Sequence, residues 1–418
     1  MTPTGPWLPH KARVRIRAHP ARRCWPGVLV AAAAAVLLLS ACERKPPPPP
    51  APLALSPVAF TDLPGWAEDD VAAAVPALRR SCARLEGRPD DQAFGAPGVD
   101  VVGTVADWRG PCAALMALPD GDTAAARRII EAHFVPMRMR APDAETGLVT
   151  GYYEAEINGA LFPGGPYRWP IYGLPRDLVI ADLGRFAPDL SGRRIVGRVE
   201  GGRLVPYHER GAIEAGALDG QNAEMLWADD PVDVFFLHVQ GSGKVRLPDG
   251  SQRRIGFAAS NGRDFTAIGR ALIAEGKVPR DQASMQGIRD WLRRHPDEAA
   301  AIMRRNARYI FFRWIDGDGP IGAQGVALTA GRSLAVDPHF VPYGAPVFLD
   351  TTWPGTDRPL RRLMVAQDTG AAIKGPLRAD FFWGSGETAL EQAGRMKQAG
   401  RFYMLLPAAV AARRAATS

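Results

Sequence analysis

The 418-residue sequence is short of the side chains on which most metal and hydrolytic chemistries depend. Its seven histidines include no HExxH or other paired ligand spacing, which removes the usual basis for a zinc site. DGDG at 316–319 opens like a calcium loop, but Ala327 occupies the place of the bidentate glutamate, so a solvated turn accounts for it. GAAIKGPL at 370–377 has Ile373 before Lys374 and no hydroxyl residue after it, so it is not a phosphate loop. Ser242 stands between glycines with His238 close by in sequence, yet the GxSxG of a nucleophile elbow is missing. DTG at 368–370 looks like an aspartic-protease turn, but such enzymes need two carboxylates sharing a proton and no second DTG or DSG exists. Gln367 also stands where that motif has an apolar residue. No metal and no cofactor are expected.

Cysteine is scarce as well, with four in all and none in CxxC. The first 41 residues contain no acidic side chain and carry Lys11, Arg13, Arg15, Arg17, Arg22 and Arg23 ahead of the run VLVAAAAAVLLLS. That order is a secretory signal peptide, and the run is too short and alanine-rich for a membrane span. Its end, LSAC, resembles a lipobox, which implies a signal over 1–41 and lipidation of Cys42. The proline-rich stretch that follows predicts an extended lipidated linker over 42–58. Glu43 in place of Asp implies, by the same resemblance, an outer-membrane anchor with the protein facing the periplasm. Cys82 and Cys112 then remain in an oxidising compartment, where a disulfide closing about 30 residues would contribute ~3 kcal/mol. Six of the charges behind the formal +7 lie in the signal, leaving about +1 for the rest, so nucleic-acid binding loses its electrostatic support.

About 360 residues follow the linker, and two domains are the default for that length. Apolar residues at helical spacing predict a helical lead-in over 59–150. From 151 to 265 short β-like runs alternate with Gly and Pro, which predicts an inserted β domain. Helical patterning returns over 266–310, strand-like runs fill 311–407, and 408–418 reads as a tail. The turn-rich segments hold many aromatics, among them Tyr152, Tyr153, Phe381, Phe382 and Trp383, whose ring faces suit stacking on sugars.

Ordered blocks then carry a family resemblance: GYYE (151–154), PYHERGAIE (206–214), HVQGSG (238–243), NGRDFTAIGR (261–270), SLAVDPHFVPYGAPVFLD (333–350) and VAQDTGAAIKGPLRADFFWG (365–384). Together they resemble the membrane-bound lytic murein transglycosylase A family, the last block being its "3D" region with Asp337, Asp368 and Asp380. Ala155 and Ala371 depart from residues common in that family. The resemblance implies a mainly β fold with α: a double-psi β-barrel domain with a helical N-terminal part and an inserted second β-barrel domain. It implies cleavage of the β-1,4 bond between N-acetylmuramic acid and N-acetylglucosamine in peptidoglycan, without water, leaving 1,6-anhydromuramoyl ends. Asp380 is the expected general acid/base and Asp368 a supporting carboxylate. Tyr152, Tyr153, Gln240, Ser242, Lys374 and Trp383 are expected to bind substrate. Peptidoglycan glycan strands are the expected partner, with murein-synthesis complex proteins as further candidates. A non-catalytic periplasmic glycan-binding lipoprotein and a hydrolytic glycosidase are the competing readings.

Overall fold

Helix signals in the N-terminal stretch act as the sequence suggests. Val105–Met116 starts at a capping box in which the Asp107 carboxylate accepts from the Thr104 N–H at 2.9 Å, and it buries Val105, Trp108, Cys112 and Leu115 on one face. Thr123–His133 starts where the Asp122 side chain accepts from the Ala125 N–H at 2.8 Å. Cys82, in the helix Val75–Ala83, and Cys112 form a disulfide with their Cα atoms 5.5 Å apart. Gln367 locks the same helix to the sheet: its amide donates to the Ala77 carbonyl and the Ser81 hydroxyl and accepts from Ser333, all inside the core.

The structure, a computed structural model, describes residues 53–95, 102–317 and 319–417. The expected signal 1–41, Cys42 and most of the 42–58 linker lie outside the described residues. The architecture is mixed α/β and rich in sheet. Among the described residues thirteen strands join in one sheet and three more form a small second one.

The strand Gly147–Ala160 connects the two parts of the large sheet. Its first half pairs in parallel with Arg378–Ser385, setting Thr150 beside Asp380, and its second half pairs in parallel with Ser242–Arg246. Gly151 makes the close packing feasible, because a Cβ there would meet the Trp383 Nε1 and the Ala393 Cα at 2.8 Å. Lys397–Pro407 pairs with Pro346–Thr352 and with Phe134–Arg140, and its start also pairs with the start of Gly147–Ala160.

Four expectations change. Two separate closed barrels are not what the pairing gives, since one continuous sheet runs through both parts. The expected boundary at 150/151 falls inside a fourteen-residue strand. Ala54–Pro57, read as linker, pairs antiparallel with Arg140–Met137 as a sheet strand. The expected tail is the helix Ala408–Thr417, which buries Val410 and Ala411.

Candidate active site

Two structural routes deliver side chains to one cavity of about 690 Å³. The first is the helix Pro231–Gln240. Asp230 caps it by accepting from the Val232 N–H at 2.7 Å, Pro231 takes the first helical position, and Gly241 ends it with φ of 79°. That abrupt end turns the chain so that His238, Gln240 and Ser242 line the cavity. The Gln240 side-chain oxygen accepts from the Tyr153 N–H at 3.2 Å, which fixes the turn against Gly147–Ala160.

The second route is the strand Arg378–Ser385 with the loop before it. Asp380 lines the cavity. Its Oδ1 accepts from Arg378 Nη1 at 2.7 Å and from the Thr150 hydroxyl, while Arg378 Nη2 donates to Thr150 Oγ1 at 2.8 Å. All the hydrogen bonds to this carboxyl fall on Oδ1, and Oδ2 accepts none from the described residues.

Asp368 reaches the same cavity, and its Oδ1 accepts from the Ala323 N–H at 2.9 Å. The residue is partly buried. This burial lifts its pKa from the ordinary 3.8 to about 6; the Asp380 charge adds to the rise, and the Ala323 and Thr369 N–H groups and the Tyr152 hydroxyl oppose it. Tyr152 OH lies close enough to Asp368 to act on its charge, yet it is buried without a hydrogen bond of ordinary geometry. Asp337, the third aspartate, holds the intervening loop: Oδ2 accepts from the Gly375 N–H at 2.8 Å and Oδ1 meets the His339 ring at 2.8 Å. Burial raises its pKa, but these donors hold it below the ordinary value.

Strand alternation divides the remaining expected residues between two faces. Tyr152 lines the cavity, whereas Tyr153 turns into the core, where its hydroxyl accepts from Arg289 at 3.1 Å. Likewise Phe381 and Trp383 face away from Asp380; their rings pack 4.5 Å apart, and Trp383 lies 5.4 Å from Trp353. Phe382 packs on Tyr152 at 5.1 Å. Lys374 is exposed and does not line the cavity. Of the residues expected to bind substrate, Tyr152, Gln240 and Ser242 line the cavity, and Tyr153, Lys374 and Trp383 do not.

Thr150 and Arg378 were missed. Arg378 carried a signal, since a residue two before Asp380 on a strand shares its face. Thr150 carried none, because its contact with Asp380 spans 230 residues. His238 is also at the cavity. Its Nδ1 lies 3.2 Å from the buried Arg210 guanidinium and its Nε2 is buried without a partner. Burial, with the Arg210 charge, holds this imidazole neutral.

Comparison with known proteins places this geometry. Residues 148–313 match the MltA specific insert domain and residues 332–406 match the 3D domain. A crystal structure of membrane-bound lytic murein transglycosylase from Agrobacterium tumefaciens is 36% identical, with a TM-score of 0.76 over 86% of this chain and 99% of that one. The chain belongs to the membrane-bound lytic murein transglycosylase A family. Another member, Escherichia coli MltA crystallised with bound chitohexaose, is 26% identical with a TM-score of 0.60, covering 86% of this chain and 95% of that one. Membrane-bound lytic murein transglycosylase A from Vibrio cholerae is 30% identical over 268 residues, a match spanning 62% of this chain and 65% of that relative's length.

Proposed function

We propose that this protein is a lytic murein transglycosylase that cleaves the β-1,4 bond between N-acetylmuramic acid and N-acetylglucosamine in peptidoglycan, with Asp380 as general acid and then general base. The observation that carries the reading is the asymmetric hold on Asp380, in which Oδ1 is fixed by Arg378 and Thr150 and Oδ2 is left for a sugar oxygen. An ordinary glycosidase needs a second carboxylate to act on water or on the anomeric carbon. Here the attacking oxygen is the C6 hydroxyl of the same muramoyl ring, so high effective molarity replaces that second group. Asp380 gives its proton to the leaving O4. The resulting carboxylate then takes the proton from O6 as the 1,6-anhydro ring closes, which returns the acid to its starting state. Asp368 is the supporting residue: its bond to Ala323 argues for a structural role, and the charge of Asp380 acts on it.

The same reading includes a double-psi barrel in the C-terminal half, supported by the pairing of Lys397–Pro407 with both Pro346–Thr352 and Gly147–Ala160. It also includes anchoring through Cys42 in the outer membrane, a periplasmic orientation, and murein-synthesis proteins as partners. The membrane-bound names of the relatives support the anchoring. Digestion of purified peptidoglycan by wild type and by Asp380→Asn, with products read by mass spectrometry, tests the chemistry. Wild type should release 1,6-anhydro-muropeptides and the variant should not. Reducing ends carrying ¹⁸O from labelled water would mean a hydrolase, and binding without cleavage by wild type would mean a glycan-binding lipoprotein.

A further inference from the structure

The cavity lining carries both acidic and basic side chains. Its carboxylates, Asp368 and Asp380, come from the C-terminal half, and each already has donors in the protein. The 148–313 part brings Arg308 and Arg313 to the lining of the same cavity. Arg308 is partly buried, and burial pulls its pKa below the ordinary value. It makes one hydrogen bond, from Nη1 to the Arg263 carbonyl at 3.1 Å, so most of its N–H groups have no acceptor among the described residues. Asp264 acts on it electrostatically without forming an ion pair. Arg313 donates Nε to the Phe257 carbonyl at 3.3 Å and is otherwise exposed, again with no carboxylate partner. Guanidinium N–H groups without a protein acceptor at the edge of a cavity are available to an anion that enters it. The planar fork of a guanidinium matches a carboxylate.

We propose that Arg308 and Arg313 form an anion subsite that binds a carboxylate borne by the murein strand. The inference rests on the proposed function for its substrate class. The carboxylate has two sources, the lactyl group of an unsubstituted muramoyl residue or the stem peptide attached to it. In either case the two arginines orient the strand, because only muramoyl positions carry such a group and every second sugar is thereby marked. The subsite thus reads which sugar stands where, while Asp380 acts at the bond between them.

The test uses the Asp380→Asn protein, so that ligands are bound without turnover, and compares three probes: chitohexaose, which has no carboxylate; peptide-stripped murein strands; and peptide-bearing murein fragments. In Arg308→Gln, the ratio of affinity for a carboxylate-bearing probe over chitohexaose should fall about tenfold or more, with a smaller fall in Arg313→Gln. Arg308→Lys should restore part of it. A fall with stripped strands assigns the lactyl carboxylate, and a fall confined to peptide-bearing fragments assigns the stem peptide. An unchanged ratio in both Gln variants overturns the subsite, and Arg313→Gln, being exposed, keeps the test open if Arg308→Gln does not fold. Because these are binding ratios, failure of wild type to release anhydro products would sink the proposed reaction separately.

Discussion

Arg378 Nη1 lies 2.7 Å from Asp380 Oδ1 and its Nη2 lies 2.8 Å from Thr150 Oγ1, so one guanidinium spans two strands and sets the direction of the proposed acid. A carboxyl aimed in this way loses its alignment when the fork is removed, and misplacement by about 1 Å costs roughly 10²-fold. Arg378→Gln should lower kcat for anhydro-muropeptide release by about that factor while KM changes little. Arg378→Lys, which keeps the charge and loses the fork, should recover only part of kcat. A loss confined to KM would mean that Arg378 binds substrate instead.

Thr150 supplies the other donor to Asp380. Thr150→Val keeps the shape and removes the hydroxyl, and should cut turnover by about tenfold, the effect of one hydrogen bond to a charged group. Thr150→Ser should stay near wild type. Equal rates for the Val and Ser variants would show that the hydroxyl is not used.

Asp368 makes a prediction about stability and pH. Its folded pKa of about 6 exceeds the unfolded value near 3.8, so between these pH values the folded chain binds more protons than the unfolded one. Stability therefore falls as pH rises through this window, and above it the ionised, partly buried carboxyl costs about 3 kcal/mol. Asp368→Asn, which still offers an oxygen to the Ala323 N–H, should flatten that part of the curve and be more stable than wild type at pH 7.5. Urea denaturation at pH 4.5, 6 and 7.5 measures it; parallel curves would remove the case for a raised pKa.

The disulfide closes a segment of 30 residues between two helices of the N-terminal part. A loop of that length stabilises by about 3 to 4 kcal/mol in the chain-entropy model. Replacing both cysteines by serine should lower unfolding free energy by roughly that amount, and anhydro-product release at 25 °C should stay within about twofold, since neither residue lines the cavity.

Trp383 packs on Phe381 and Trp353 and donates its indole N–H to Met396 at 3.3 Å. Trp383→Ala should cost about 3 kcal/mol of stability, the cost of removing a large packed ring. KM in the surviving folded fraction should not rise. A raised KM without lost stability would return Trp383 to the substrate.

Much of the site was legible because its blocks are local. The DTG and the following acid lie twelve residues apart on one loop and strand, and HVQGSG is a helix end with its glycine stop. Period-two alternation already separates Tyr152 from Tyr153 and Asp380 from Phe381 and Trp383, so the inward and outward residues could have been sorted before any fold was known. Pairing between segments distant in sequence leaves no such local trace. Nothing near Thr150 announces that it will stand beside Asp380, and nothing in the segment Ala54–Pro57 announces that its backbone will complete a sheet edge. The continuity of the large sheet was hidden for the same reason, since a composition change near 150 looked like a domain border and lies just inside the start of a strand.

That strand, Gly147–Ala160, presents Thr150 and Tyr152 to the cavity while pairing with both Arg378–Ser385 and Ser242–Arg246. Its pairing passes from Arg378–Ser385, through an irregularity after Phe382, to Ser242–Arg246, so one backbone segment serves both parts of the sheet. A change in the course of that one strand would therefore be felt on both sides of the cavity at once.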